Sequence, residues 1–237
     1  MWSKEKGILL SVVHHTDKLC IANIYTLGQG FCAYSFFLPK STKGNAKNTL
    51  LMPLSLIDFE SDTSGAGLAR MRGACFLSPY SDIPFNPHKS SIALFLSEIL
   101  TTALRSEKNA DNALFGFLMD SLLWFDSSLE FSNFHLYLSV RLADFLGISP
   151  DVSTFRDGYA LDVTSGSYLP QNPDSELCRL SWLFASLQRS SLENMQSIAM
   201  SGAERSALLN MLCSYYSVHI PSFPHLKSIE ILHLLYN

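Results

Sequence analysis

The stretch Gly30–Phe59, GFCAYSFFLPKSTKGNAKNTLLMPLSLIDF, decides the fold. Two apolar runs rich in β-formers flank a polar loop. That loop carries Lys40, Lys43 and Lys47 among Ser, Thr, Asn and Gly, and no acidic residue falls between Asp17 and Asp58. Closely spaced lysines on a polar loop form a phosphate-binding edge or, equally, a solvated hairpin loop kept soluble by lysine.

Working outward, further short strands are expected on both sides. Residues 7–14 (GILLSVVH) and 19–25 (LCIANIY) read as two strands joined by a His-Thr-Asp-Lys turn. Gly28-Gln29-Gly30 connects them to a third, Phe31–Leu38. A fourth is expected around Leu51–Phe59, where Pro53 implies an edge or a bulge. The fifth, Leu68–Leu77, follows a polar glycine-containing loop. Five short strands in the first 80 residues, with no helical period between most of them, predict a small barrel, foremost the five-stranded oligonucleotide-binding barrel. Arg70 and Arg72, two apart, share a face of the fifth strand and extend the cationic edge, or else simply face solvent. Tyr34 and Phe36 also share a face. Filling the barrel is their first use and base stacking the second.

After Pro79 the period changes. Residues 79–87 (PYSDIPFNP) read as a joint, and Asn86-Pro87 as a helix cap with proline in the first turn. Ile92, Phe95, Leu96, Ile99, Leu100, Ala103 and Leu104 follow at helical spacing. A second helix spans about 113–125. A third is capped by Ser132, carries Arg141 and stops at Gly147. Residues 148–170, with Gly158, Gly166 and Pro170, read as a short hairpin. Asn172-Pro173 starts another helix, and Ser201-x-x-Glu204 is a capping box for one running to His219. A last short helix takes Leu226–Leu235. The fold class is therefore α+β: residues 1–80 a barrel, residues 81–237 mainly helical.

Composition bounds the function. The chain has 237 residues, 47% hydrophobic and 16% charged, enough for a sizeable core and too apolar for a disordered protein. Residues 1–80 hold 8 Lys+Arg against 5 Asp+Glu, whereas residues 81–237 hold 9 against 16. The two parts therefore suit different partners. Five cysteines are widely scattered with no CxxC pair, as expected of reduced core thiols in a cytoplasmic protein. No apolar run is long enough to span a membrane. His14 and His15 are adjacent in a strand and point to opposite faces, so they do not share a metal. No Walker lysine, GxSxG elbow or ligand spacing appears, and Asp120, Asp126 and Glu130 read as a solvated helix face. A nuclease or hydrolase therefore lacks its clustered acids or metal.

The ordered set KGILLSVVHHTDK, IYTLGQGF, the lysine loop, LMPLSLIDFE, NFHLYLSVRLADFLGISP and HIPSFPHLKSIEILHLL resembles the RecO family of recombination mediators over nearly the whole chain. The resemblance implies an oligonucleotide-binding barrel followed by a helical domain, with no enzymatic turnover. It implies binding of single- and double-stranded DNA, annealing of complementary strands, and loading of RecA together with RecR. It also implies engagement of the acidic, Phe-ending tail of the single-stranded-DNA-binding protein. Many members carry a four-cysteine zinc module. Here residues 148–178 hold only Cys178, so no metal or other cofactor is expected and the 148–170 hairpin takes the module's place. Lys40, Lys43, Lys47, Arg70 and Arg72 are the nucleic-acid candidates. Arg105, Lys108 and Arg141 are candidates for the tail, although Arg105 and Lys108 at a helix end also merely complement its dipole. The alternative is an interaction scaffold whose barrel binds no nucleic acid.

Overall fold

A computed structural model describes residues 1–16, 18–37, 52–64, 67–230 and 232. The chain divides into two compact units, Met1–Ser127 and Ser128–Asn237.

The first unit opens with the barrel. Its strands are β1 (Ser3–His14), β2 (Leu19–Thr26), β3 (Gly30–Phe37), β4 (Leu56–Asp62) and β5 (Ala69–Ser78). They close in the order β1-β2-β3-β5-β4, the five-stranded ring of the oligonucleotide-binding fold. Four ladders are antiparallel, and the ring is shut by a parallel β3–β5 contact. Alternate residues point inward, as the pleat requires. Leu9, Ala22, Ile24, Tyr34, Ile57 and Phe59 fill the interior, with Phe36 packed at its margin. The Tyr34 and Phe59 rings meet edge to face, centroids 5.2 Å apart. Both Tyr34 and Phe36 are thus committed to the barrel filling. Pro53 lies in the turn before β4 rather than within a strand, and Leu54 there takes a left-handed φ of 65°.

Helices α1 (Pro87–Ala103) and α2 (Asn112–Ser127) complete this unit. Asn86 caps α1 as its sequence promised, accepting from the amides of His88 and Lys89. The segment after α1 returns to the barrel: the Phe31 amide donates to Glu107 O at 2.7 Å.

The second unit holds α3 (Phe134–Phe145), the hairpin β6 (Tyr159–Asp162) and β7 (Ser167–Pro170), α4 (Glu176–Arg189) and α5 (Gly202–His219). The N-cap of α3 is Asn133 rather than Ser132. Its side chain is used elsewhere: Nδ2 donates to Met195 O and Ile198 O, while Oδ1 accepts from Arg205 Nε. Helix α4 starts at Glu176 with Ser175 as its cap, later than Asn172-Pro173 suggested. Gly147, at φ 68°, ends the α3 segment as expected. Of the helix expected over 226–235, residues 228–230 and 232 are helical, while 231 and 233–235 lie outside the described residues.

The capping box of α5 is complete. The Glu204 amide donates to Ser201 Oγ at 3.1 Å, and the Ser201 amide donates to Glu204 Oε2 at 2.7 Å. That amide, then the Arg179 guanidinium 2.7 Å away, holds the Glu204 carboxyl at about 2, below the usual 4.5. A carboxyl lowered by folding stabilises above its unfolded pKa and loses that contribution as pH falls through its folded one. Glu204→Gln is therefore expected to cost about 1 kcal/mol at neutral pH. The gap from wild type should narrow as pH drops from 4.5 toward 2. Urea unfolding of both proteins at pH 7 and pH 3 checks this; an equal gap at the two pH values would exclude the carboxylate.

Candidate nucleic-acid interface

Register builds the outer surface of the barrel. Arg70 and Arg72 do point outward on β5, with Met71 between them turned to the core. Each arginine faces an acid on β4, a pairing that alternation within one strand cannot reveal. Arg70 lies opposite Asp62 with Nη2–Oδ2 at 2.8 Å, and Arg72 opposite Glu60 with Nε–Oε2 at 2.6 Å. On the other side of β4, Lys4 is opposite Glu60 and Lys6 opposite Asp58. The outer face of β1–β4–β5 is therefore a ladder in which an acidic row runs between two cationic rows. Trp2 sits beneath the arginines, its ring centroid 4.1 Å from Arg72 Cζ and 6.0 Å from Arg70 Cζ. At that distance the ring gives Arg72 a cation–π attraction of about 0.5–1 kcal/mol at an exposed site.

These pairs differ in depth. The Arg72 and Glu60 side chains are 55% and 43% exposed, and such a pair is worth only about 0–1 kcal/mol. Exchange of that carboxylate for a phosphate oxygen therefore costs little. Asp62 is more firmly held. Hydrogen bonds from Ser64, then the Met1 amino group, keep its carboxyl well below the usual carboxylate range. The Arg70 side chain nonetheless stays 63% exposed.

The face of β1–β2–β3 differs. Cross-strand register aligns Val13, Ile21 and Ser35, and Ser35 is abreast of Arg70. A second row pairs Leu19 with Phe37. One end of β3 is covered, because Lys108 lies over the Phe31 ring at 4.6 Å and also donates to Phe31 O. The other end is open, and Phe37 is 74% exposed. Of the two outward aromatics of β3, Phe31 is covered and Phe37 is exposed, and sequence reasoning passed over Phe37 in favour of Tyr34 and Phe36. The signal was available: Ala33 and Ser35, small and polar, share the parity of Phe37.

Lys40, Lys43 and Lys47 lie outside the described residues. Arg105 is exposed just beyond α1, and Lys108 belongs to the Phe31 contact. Arg141 lies in the second unit. Its Nη1 donates to Gln188 O at 3.1 Å and its Nε is 3.2 Å from Asp144 Oδ2, so it ties α3 to α4 with its charge matched. Asp126 is not on a solvated face. Only 8% exposed, it accepts from the amides of Ser81, Asp82 and Ile83 and from the Ser81 hydroxyl. His14 Nδ1 is 3.3 Å from Cys20 Sγ, but among the described residues no cluster of three or more His, Cys, Asp or Glu is placed to hold a metal ion. No helix among the described residues is long and apolar enough to cross a membrane.

Comparison with known proteins places this architecture. The family model described as recombination protein O C terminal matches residues 84–229. A protein of Bacteroides fragilis named DNA repair protein RecO is 35% identical, with all of both chains covered. A like-named protein of Phocaeicola vulgatus is also 35% identical over all of both chains, and one of Flavobacterium psychrophilum is 31% identical over 98% of each. With a closed five-stranded barrel, a helical region after it and similarity along its whole length, this chain belongs to the RecO family.

Proposed function

We propose that this protein is a non-enzymatic mediator of DNA repair and homologous recombination, acting in the cytoplasm on the nucleoid. It binds single- and double-stranded DNA, anneals complementary strands and, with RecR, helps load RecA. The observation that carries this reading is full-length similarity to proteins named for DNA repair, in a chain that begins with an oligonucleotide-binding barrel. In this proposal residues 1–80 bind DNA and residues 81–237 dock protein partners. The β6–β7 hairpin stands where other members carry zinc.

Lys40, Lys43, Lys47, Arg70 and Arg72 contact phosphate in this reading. Arg105, Lys108 and Arg141 are the cations offered to the acidic tail of the single-stranded-DNA-binding protein. The lysines give the sharpest test. Three phosphate contacts on a single strand contribute about −2 to the log–log salt slope. Replacing Lys40, Lys43 and Lys47 together by alanine is expected to weaken binding and flatten the slope by about that amount. Fluorescence anisotropy of labelled single-stranded DNA at several salt concentrations reads both. An unchanged affinity and slope would remove the loop from the account.

A second reading, a scaffold whose barrel binds no nucleic acid, is favoured by the acid partner that each β5 arginine already has. The same titration on wild type separates the two, since a scaffold gives no salt-sensitive binding.

A further inference from the structure

The geometry points to the open end of the β1–β2–β3 face, centred on Phe37, as a stacking platform for unpaired nucleobases. The platform makes the barrel prefer single strands to duplex. This inference rests on the DNA-binding reading above and adds the feature by which a single strand is recognised.

The platform is assembled by register. Phe37 and Val13, 74% and 55% exposed, flank half-buried Leu19 and Ile21. A soluble surface gains nothing from four neighbouring apolar side chains left against water, and such a patch marks a contact site. The covered end of the same face shows how the fold disposes of an aromatic it does not present: Phe31 on β3 has an outward-facing position, yet it lies beneath Lys108. Nothing among the described residues covers Phe37 in that way.

Charge selects the occupant. Arg70 lies abreast of Ser35, one strand step from Phe37 on the same side, and more than half its side chain is exposed. Lys18 is exposed at the β1–β2 turn beside Leu19. An aromatic ring among aliphatics with cations on two sides fits a ligand with flat apolar faces strung on an anionic backbone. Single-stranded nucleic acid has that form. In a duplex each base face is already stacked, so Phe37 has no surface to meet there. Cations alone hold phosphate in either form. Asp62, paired to Arg70, tempers the attraction and leaves more of the discrimination to stacking.

The test uses the full chain, fluorescence anisotropy, an oligothymidylate of about 15 nucleotides, an abasic strand of equal length and charge, and a duplex. Phe37→Ala is expected to weaken oligothymidylate binding about tenfold and to leave duplex and abasic binding unchanged. Phe37→Tyr should retain wild-type affinity, and an unaltered thermal midpoint certifies that the alanine variant is folded. Equal wild-type affinity for the abasic and normal strands overturns this inference alone, as does an alanine variant that binds like wild type. A variant that changes the sedimentation coefficient but not DNA binding also overturns it, by showing the face to be a contact between copies of this chain. Wild-type protein that binds neither strand brings down the DNA-binding reading as well.

Discussion

Asp126→Ala is expected to destabilise the first unit by about 3–5 kcal/mol, lowering its thermal midpoint by roughly 10 °C or more. The carboxylate sits near the end of α2 and gathers the Ser81, Asp82 and Ile83 amides at 2.7–2.9 Å, together with the Ser81 hydroxyl. Burial pushes its pKa up, but these donors outweigh burial and hold it below the ordinary value. Alanine leaves three amide donors without their acceptor in a place water reaches poorly. Each such orphan costs about 1–3 kcal/mol. The neighbouring Lys89, 1% exposed, bonds Asp82 Oδ2 and the Asp126 carbonyl, both at 2.8 Å, so the loss spreads to a buried cation. Because folding lowers the Asp126 pKa, its contribution is intact at neutral pH and fades as pH falls through the folded value. Calorimetry on wild type, Asp126→Asn and Asp126→Ala checks the chain of reasoning. Asparagine keeps one acceptor and should fall between the other two, and an alanine variant within 1 kcal/mol of wild type would show the anchor to be idle.

Gly30→Ala is the second large effect, about 3 kcal/mol. Gly30 ends the β2–β3 turn at φ 68°, a conformation that costs an L-residue roughly 1–2 kcal/mol. A Cβ there would also lie 2.4 Å from Asn109 O and 2.6 Å from Glu107 O, both backbone atoms. Overpacking of that kind adds about 1–3 kcal/mol. Gly73 separates the two contributions, since it has φ 65° with nothing within 4 Å of its would-be Cβ. Gly73→Ala should lose only the conformational part. Equal losses at the two glycines, measured by urea unfolding, would show that the close approach of the 107–109 segment contributes nothing.

Much of this fold was legible because its signals are local. Gly-Gln-Gly before β3, Asn86-Pro87 before α1 and the Ser201–Glu204 box each act within one turn of chain, and each stands where expected. The family resemblance, spread over the chain, agreed with the strand order of the barrel. What stayed hidden depends on partners far away in sequence. Asp126 looked solvated beside Asp120 and Glu130 because its donors are 43 to 45 residues upstream. The acids opposite Arg70 and Arg72 follow from β4–β5 register, which no single-strand pattern supplies. Phe37 was missed for another reason. Tyr34 and Phe36 are the larger signal on β3, and attention to the inward parity hid the outward one.

The closure of the barrel has a consequence of its own. Among the described residues its four antiparallel ladders each join six or more residue pairs, whereas β3 meets β5 through Tyr34↔Ala69 and Ser35↔Arg70, with the Ser35 hydroxyl also donating to Ala69 O at 3.2 Å. A ring fastened so thinly at one place behaves as a clasp. Opening along this line would give up the fewest described pairs of any ladder and the Ser35–Ala69 bond, so it is expected to take less free energy than unfolding the unit. The strand released by that opening is the one that ends in Phe37.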